Sequence, residues 1–238
     1  MDDAIIISDL HLGGDNAQVG ALREFLESIH AGEVAVRQLI LNGDVFDSHD
    51  FRRLRRSHWK ILSLLRRMSD DLPITWISGN HDGPAELVSS LIGIQFAEEY
   101  ELVSGGRRIL VLHGHQFDSF LDDHPWLTRA AEAAYRLLQR VDPSFRIARQ
   151  AKRATKTFLR CAEQVRQRAM VYASRLGCDA VCCGHTHLES EINESPVAYF
   201  NSGCWTELPC SYLSVRDGVV SLRHFVPSRE PTAALEYT

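Results

Sequence analysis

Five times along this 238-residue chain, a short apolar run ends directly in a polar cluster. Ala4-Ile5-Ile6-Ile7 leads to Asp9-Leu10-His11. Gln38-Leu39-Ile40-Leu41 leads to Asn42-Gly43-Asp44. Ile74-Thr75-Trp76-Ile77 leads to Gly79-Asn80-His81-Asp82. Ile109-Leu110-Val111-Leu112 leads to His113-Gly114-His115, and Ala180-Val181-Cys182-Cys183 to Gly184-His185-Thr186-His187. Apolar runs this short and continuous read as strands buried on both faces. Between them the apolar spacing turns helical. Val19, Leu22, Phe25, Leu26 and Ile29 form one stripe, with Asn16 as a candidate cap. Ser57 to Met68 forms a second helix, with Trp59, Leu62 and Leu65 on one face. Pro84 opens a third, to about Leu91. Alternating strands and helices predict an α/β layered core.

Two hairpins stand apart from that alternation. Ser104-Gly105-Gly106-Arg107 lies between Leu102-Val103 and Ile109 to Leu112. Asp217-Gly218 lies between Tyr212 to Val215 and Val219 to Phe225. Asp-Gly between two strand patterns is a strong hairpin signal. From about Trp126 to Leu176 no strand pattern occurs. One helical stripe there is Leu127, Ala130, Ala134, Leu137 and Val141; another is Phe158, Cys161, Val165, Ala169, Tyr172 and Leu176. We read residues 1–238 as a single domain in which residues 120–177 form a helical insertion. The formal net charge is -5, yet Arg129 to Arg175 carries twelve Lys or Arg against three Asp or Glu. A basic segment in an acidic chain points to an anionic partner. The six cysteines form no CxxC pair, which fits small buried side chains in a reducing compartment. No apolar run approaches the roughly 18 residues of a membrane span. Acidic Asp2 and Asp3 precede the first short run, unlike the basic start of a signal peptide. The expectation is a cytoplasmic protein.

In an α/β sheet, ligands bind where the strands end at their carboxyl side. The five clusters would therefore gather carboxylates, imidazoles and one amide at one sheet edge. That mixture of oxygen and nitrogen donors suits Mn²⁺, Fe²⁺ or Zn²⁺. No thiol sits in the set, which argues against a structural zinc site. If the chain stays extended, Asp9 and His11 point the same way and can reach one ion. A bend between His185 and His187 could send them to different ions. Each cluster alone is a weak signal; the five together, in this order and each behind a strand, are a strong one.

The ordered clusters resemble those of the calcineurin-like metallophosphoesterase family: D-x-H, G-D, G-N-H-D, H and G-H-x-H. The resemblance implies a four-layer α/β/β/α sandwich, here with a helical cap insertion, and a centre of two divalent metal ions. One ion would be held by Asp9, His11, Asp44 and His187. The other would be held by Asp44, Asn80, His113 and His185, with Asp44 bridging. Asn80 and His81 would contact the substrate phosphate. His81 would protonate the leaving oxygen, and Asp82 would orient it by accepting its other ring hydrogen. The ions would bind phosphate oxygens and activate a water for in-line attack on phosphorus.

Within the family, the insertion and several segments resemble the UDP-2,3-diacylglucosamine hydrolase group, the pyrophosphatases of lipid A synthesis. These segments are Ser8 to Leu12, Gly114-His115-Gln116-Phe117-Asp118, Cys183 to His187, and Asn201-Ser202-Gly203-Cys204-Trp205-Thr206-Glu207. The chain departs from that group in carrying His81 where it has Arg, and His115 where it has Asp. The implied partner is an anionic phosphate substrate, such as a nucleotide-linked lipid, with peripheral membrane association as a further expectation; Arg136, Arg140, Arg146, Arg149, Lys152, Arg153, Lys156 and Arg160 could face either a diphosphate or an anionic membrane surface. The alternative for those charges, and for Arg52-Arg53-Leu54-Arg55-Arg56, is a solvated helix face. Two other functions compete: a phosphodiesterase or nuclease, and a non-catalytic scaffold of the same fold. The insertion lacks the interleaved aromatics that base stacking needs, which disfavours nucleic acid. The intact ligand positions disfavour a scaffold.

Overall fold

The computed structural model describes residues 1–83, 85–118, 156–193 and 196–228. Among the described residues, eleven strands fall into two sheets. The first holds β1 (Ala4–Ile7), β2 (Leu39–Asn42), β3 (Ile74–Ile77), β4 (Gln95–Ala97), β10 (Cys210–Arg216) and β11 (Val219–Phe225), in the order β11-β10-β1-β2-β3-β4. The second holds β5 (Glu99–Ser104), β6 (Arg107–Leu112), β7 (Ala180–Cys183), β8 (Ser190–Ile192) and β9 (Ala198–Asn201), in the order β5-β6-β7-β9-β8. β1, β2, β3 and β4 run parallel, as do β6, β7 and β9. The described helices are α1 (Val19–His30), α2 (Arg56–Met68), α3 (Ala85–Leu91) and α4 (Lys156–Arg175).

The period-2 alternation of each strand sorts its residues between layers. Ile5 and Ile7 of β1, with Leu39 and Leu41 of β2, pack under α1 and α2 against Leu22, Phe25, Leu26, Ile61 and Leu65. Ala4, Ile6 and Ile40 face the other way. They meet Ile109 and Val111 of β6, Cys182 of β7 and Phe200 of β9 in a core between the sheets. The alternate residues Leu110, Leu112, Val181, Cys183 and Tyr199 pack under α4 against Ala169 and Ala173. The layers thus run helices, sheet, sheet, helix, and the central strands β1, β2, β3, β7 and β9 are buried on both faces. That burial is why the central strands read as unbroken apolar runs.

Both glycine turns are tight hairpins with positive φ at both central residues, Gly105 and Gly106 in one and Asp217 and Gly218 in the other. They touch. Ser104 Oγ accepts from the Gly218 amide (2.8 Å) and donates to Asp3 (2.6 Å), tying the sheets together at this end.

Several expectations are corrected. Asn16 does not cap α1; Gln18 stands at its N-cap and no side chain bonds there. Trp59 does not join the buried face of α2, where His58, Ile61, Leu62, Leu64, Leu65 and Met68 lie instead; Trp59 is 52% exposed. Leu176 lies past the end of α4 and is exposed. β4 and β8, three residues each, were not foreseen. The stripe from Leu127 to Val141 lies outside the described residues, as do most of the basic positions of the insertion. Among the described residues, no helix is long and apolar enough to cross a membrane.

Phe200 is fully buried between the sheets and Trp59 is largely in solvent. Phe200→Ala should therefore lower unfolding free energy by about 3–5 kcal/mol, and Trp59→Ala by less than about 1 kcal/mol, as read from urea midpoints.

Candidate metal centre

All five clusters meet, but not on one sheet edge. Asp9, Asp44 and the Gly79–Asp82 turn follow β1, β2 and β3 of the first sheet, while His113 and the Gly184–His187 turn follow β6 and β7 of the second. The site straddles the seam between the sheets. Asn42 closes that seam: its Nδ2 donates to the carbonyls of Leu112 (3.1 Å) and Cys182 (3.5 Å) across the interface.

The ligand residues are not extended. Asp9, His11, Asp44, His185 and His187 have φ between 47° and 64°; among the described non-glycine residues only Asp217 joins them at positive φ. The left-handed turn, rather than an extended i, i+2 relation, brings Asp9 and His11 to one point. Such sharp turns pack backbone against backbone. A Cβ on Gly79 would stand 2.1 Å from the Asp44 nitrogen, and one on Gly184 2.6 Å from Asp9 Oδ2. Glycine is the residue that fits these positions.

Asp9, Asp44, His113 and His185 each have one atom tied down and another left for the centre. Asp9 Oδ2 accepts from the Ser8 hydroxyl and the His185 amide (3.1 Å), leaving Oδ1. Asp44 Oδ1 accepts from the His81 amide (2.9 Å), leaving Oδ2. His113 Nδ1 donates to the Asn42 carbonyl (2.8 Å), leaving Nε2. His185 Nε2 meets Asp118 Oδ2 at 3.0 Å, leaving Nδ1. His187 Nε2 lies 3.1 Å from Asp9 Oδ1, and buried Cys204 acts on the charge of its ring.

The inward atoms form two groups: Asp9, His11 and His187 in one, Asp44, His113 and His185 in the other. Within each group, one ligand atom from every residue lies within 4.8 Å of the others. Asp44 Oδ2 faces both, at 3.8 Å from His11 Nε2 and 3.4 Å from His113 Nε2. Asp9 Oδ1 and His113 Nε2 are buried without a well-aligned hydrogen bond. His11 Nε2 and His187 Nε2 face each other at 3.1 Å. Inward lone pairs this crowded, and this poorly served by hydrogen bonds, fit a cation in each group. The arrangement is a candidate dinuclear divalent metal centre.

Without cations, protons balance the charge. Burial opposes the charged form of every group here. Even so, the imidazolium partners hold Asp9 and Asp44 below the usual carboxylate range, through His187 and His113 respectively. Burial works against the charge on His113, yet Asp44 pushes it up to about 9. His187, likewise buried, is raised by Asp9 to about 10. His11 goes the other way, lowered by burial and by His187 to about 4.

Asp82 does not orient His81. Its carboxylate is fully buried and accepts from the amides of Asp44, Phe46 and Gly79 (3.0 Å each) and from Trp76 Nε1 (3.2 Å). It organises the turns after β2 and β3, and burial together with Asp44 pushes it up to about 6. His81 Nδ1 instead donates to the Asp47 carbonyl (2.9 Å), which leaves Nε2 facing the centre at 4.0 Å from Asp44 Oδ2. Asn80 is exposed on the same turn. Sequence reading missed Asp47, Asp118 and Cys204 as supports of the ligands. Asp118 and Cys204 lie in segments already singled out, and Asp47 stands three residues beyond Asp44 in the same loop.

The profile of the family described as calcineurin-like phosphoesterase matches residues 4–189. No curated relative matches the chain. Among solved structures, the chain is similar to Yfce, a phosphoesterase from E. coli, at 18% identity and a TM-score of 0.53, covering 92% of this chain and 90% of that one. It is also similar to a novel archaeal phosphodiesterase, at 13% identity and a TM-score of 0.50, covering 93% and 99%. At such identities these likenesses speak for the fold.

A cation must displace the protons on His113 and His187 to bind. His113 is raised to about 9 and His187 to about 10, so affinity should keep tightening as pH rises toward 10 and level off only above it. Calorimetry in buffers of different ionisation enthalpy should register the released protons.

Proposed function

The chain belongs to the calcineurin-like phosphoesterase family, and on that premise we propose that it hydrolyses the pyrophosphate bond of a UDP-2,3-diacylglucosamine-type substrate with two bound manganese ions. That the protein is a metal-dependent phosphoesterase follows from the family. Two inward ligand groups that share Asp44 Oδ2 support the two-ion requirement, and the narrower substrate reading is supported by an insertion and an Asn201 to Glu207 segment that resemble those of the lipid A pyrophosphatases. Asp9, His11, Asp44 and His187 would hold one ion, and Asp44, Asn80, His113 and His185 the other. When bound, the ions supply positive charge at the phosphate oxygens and lower the pKa of a water between them.

The remaining work falls to the protein. His81 is half-buried, with 44% of its side chain exposed. The Asp47 carbonyl fixes its ring so that Nε2 faces the position of a leaving oxygen, the placement a general acid requires. Asn80, exposed beside it, is placed to contact the phosphate. The basic insertion would bring the chain to the cytoplasmic face of an anionic membrane, where a lipid-linked substrate is presented. A phosphodiesterase of broader range is the second reading, favoured by His81 where the lipid A enzymes carry Arg.

The test is a manganese-dependent substrate panel: a UDP-linked diacyl sugar, bis-p-nitrophenyl phosphate, p-nitrophenyl phosphate and single-stranded nucleic acid. Selective UMP release from the first is expected; strong nucleic-acid cleavage without UMP release would reverse the ranking. His81→Ala should cut turnover by about 10²-fold or more while metal content stays near normal. A metal-free His81→Ala protein would refute the acid role.

A further inference from the structure

The arginine run from Arg52 to Arg56 is not one solvated patch. A single turn of 3₁₀-helix at Phe51–Arg53 divides it, capped by the Asp50 side chain, which accepts from the Arg52 amide. Arg52 turns outward; its guanidinium is 91% exposed and paired with Asp50. Arg55 reaches Asp15, both largely in solvent. Arg53 turns inward. Its Nη1 donates to the Asp47 carboxylate and to Ser48 Oγ (3.3 Å), and its Cβ would be 3.5 Å from a Cβ on Gly13, beside the first ligand loop.

Asp47 connects this arginine to the centre. The other oxygen of its carboxylate, Oδ1, faces His11 Nδ1 at 3.7 Å, and its carbonyl holds His81. Arg53 therefore stands on the same rim as His81, one side chain removed from a ligand of the first group. Among the described residues its Nε and Nη2 have no partner, and 42% of the side chain is exposed. A fixed, permanently charged fork with two free donors beside a phosphate site is suited to hold a second phosphoryl group.

We propose that Arg53, aimed by Asp47 over the rim, binds the phosphoryl group next to the scissile one, and that this contact makes diphosphate-bearing molecules the favoured substrate class. The inference rests on the pyrophosphatase reading and sharpens it by giving the selectivity a residue. It also separates Arg53 from its neighbours, since Arg52 and Arg55 pair with Asp50 and Asp15, while the partner of Arg53, Asp47, also faces His11 and holds His81.

The test is calorimetric binding of methylenediphosphonate and of orthophosphate to the manganese-loaded full chain, with metal content checked before and after. Wild type should prefer the diphosphonate. Arg53→Ala should weaken diphosphonate binding about 10–100-fold, and orthophosphate binding by less than about 3-fold. Arg53→Lys, which keeps the charge but loses the fork, should fall between, and Arg52→Ala should behave as wild type. If Arg53 only braced Asp47, both ligands would weaken together in Arg53→Ala and Arg53→Lys alike, and that result overturns the proposal. So does an unaffected diphosphonate affinity, an equal loss in Arg52→Ala, or a wild type without preference. UMP release is followed in parallel: a wild type that shows the Arg53-dependent diphosphonate site but releases no UMP overturns the lipid substrate and leaves the anchor supported.

Discussion

Burying acidic and imidazole groups side by side is costly unless each finds a partner, and that requirement organises the whole active end of this molecule. Two sheets stop at the same seam. Three strand ends of one and two of the other deliver the charged groups, and Ser8, Asn42, Asp47 and Asp118 hydrogen-bond to the atoms turned away from the two ligand groups. Among the buried atoms left without a hydrogen bond are Asp9 Oδ1 and His113 Nε2, in the two ligand groups, and His11 Nδ1, which faces Asp47 Oδ1 at 3.7 Å. The packing below serves this geometry. The inter-sheet core around Ile6, Ile40, Val111 and Phe200 sets how far apart the two halves of the site stand.

Much of this was legible in the sequence, for a definite reason. Strands buried on both faces leave continuous apolar runs, so their ends could be located to within a residue, and each end carried its polar cluster. The hairpins at Gly105-Gly106 and Asp217-Gly218 were legible because few residues tolerate positive φ. Less visible was the assignment of strands to sheets: an apolar tetrapeptide looks the same in either, and the two short strands β4 and β8 carry no clear alternation. Trp59 misled because a large apolar residue at helical spacing need not face the core when Ile61, Leu62 and Leu65 already fill it.

The ligand supports were harder still. Asp82 lies next to His81 in sequence and was given the role that a main-chain carbonyl performs. Nothing in a residue's identity reveals which backbone oxygen it will meet. Asp82 has another occupation, collecting four donors from the turns that carry Asp44 and Gly79. The rim formed by Asp47 and Arg53 was hidden for a related reason, since in a run of four arginines only the folded chain separates the inward one from those that pair outward.

The left-handed backbone at Asp9, His11, Asp44, His185 and His187 sets durability against chemistry. Each such residue costs about 1–3 kcal/mol relative to a relaxed conformation. Glycine would relieve the strain at all five positions and would remove every carboxylate or imidazole found there. A chain selected only for heat resistance would drift toward a glycine-rich, chemically silent rim. The tension held in these five residues is the part of its stability that the folded chain gives up to keep them reactive.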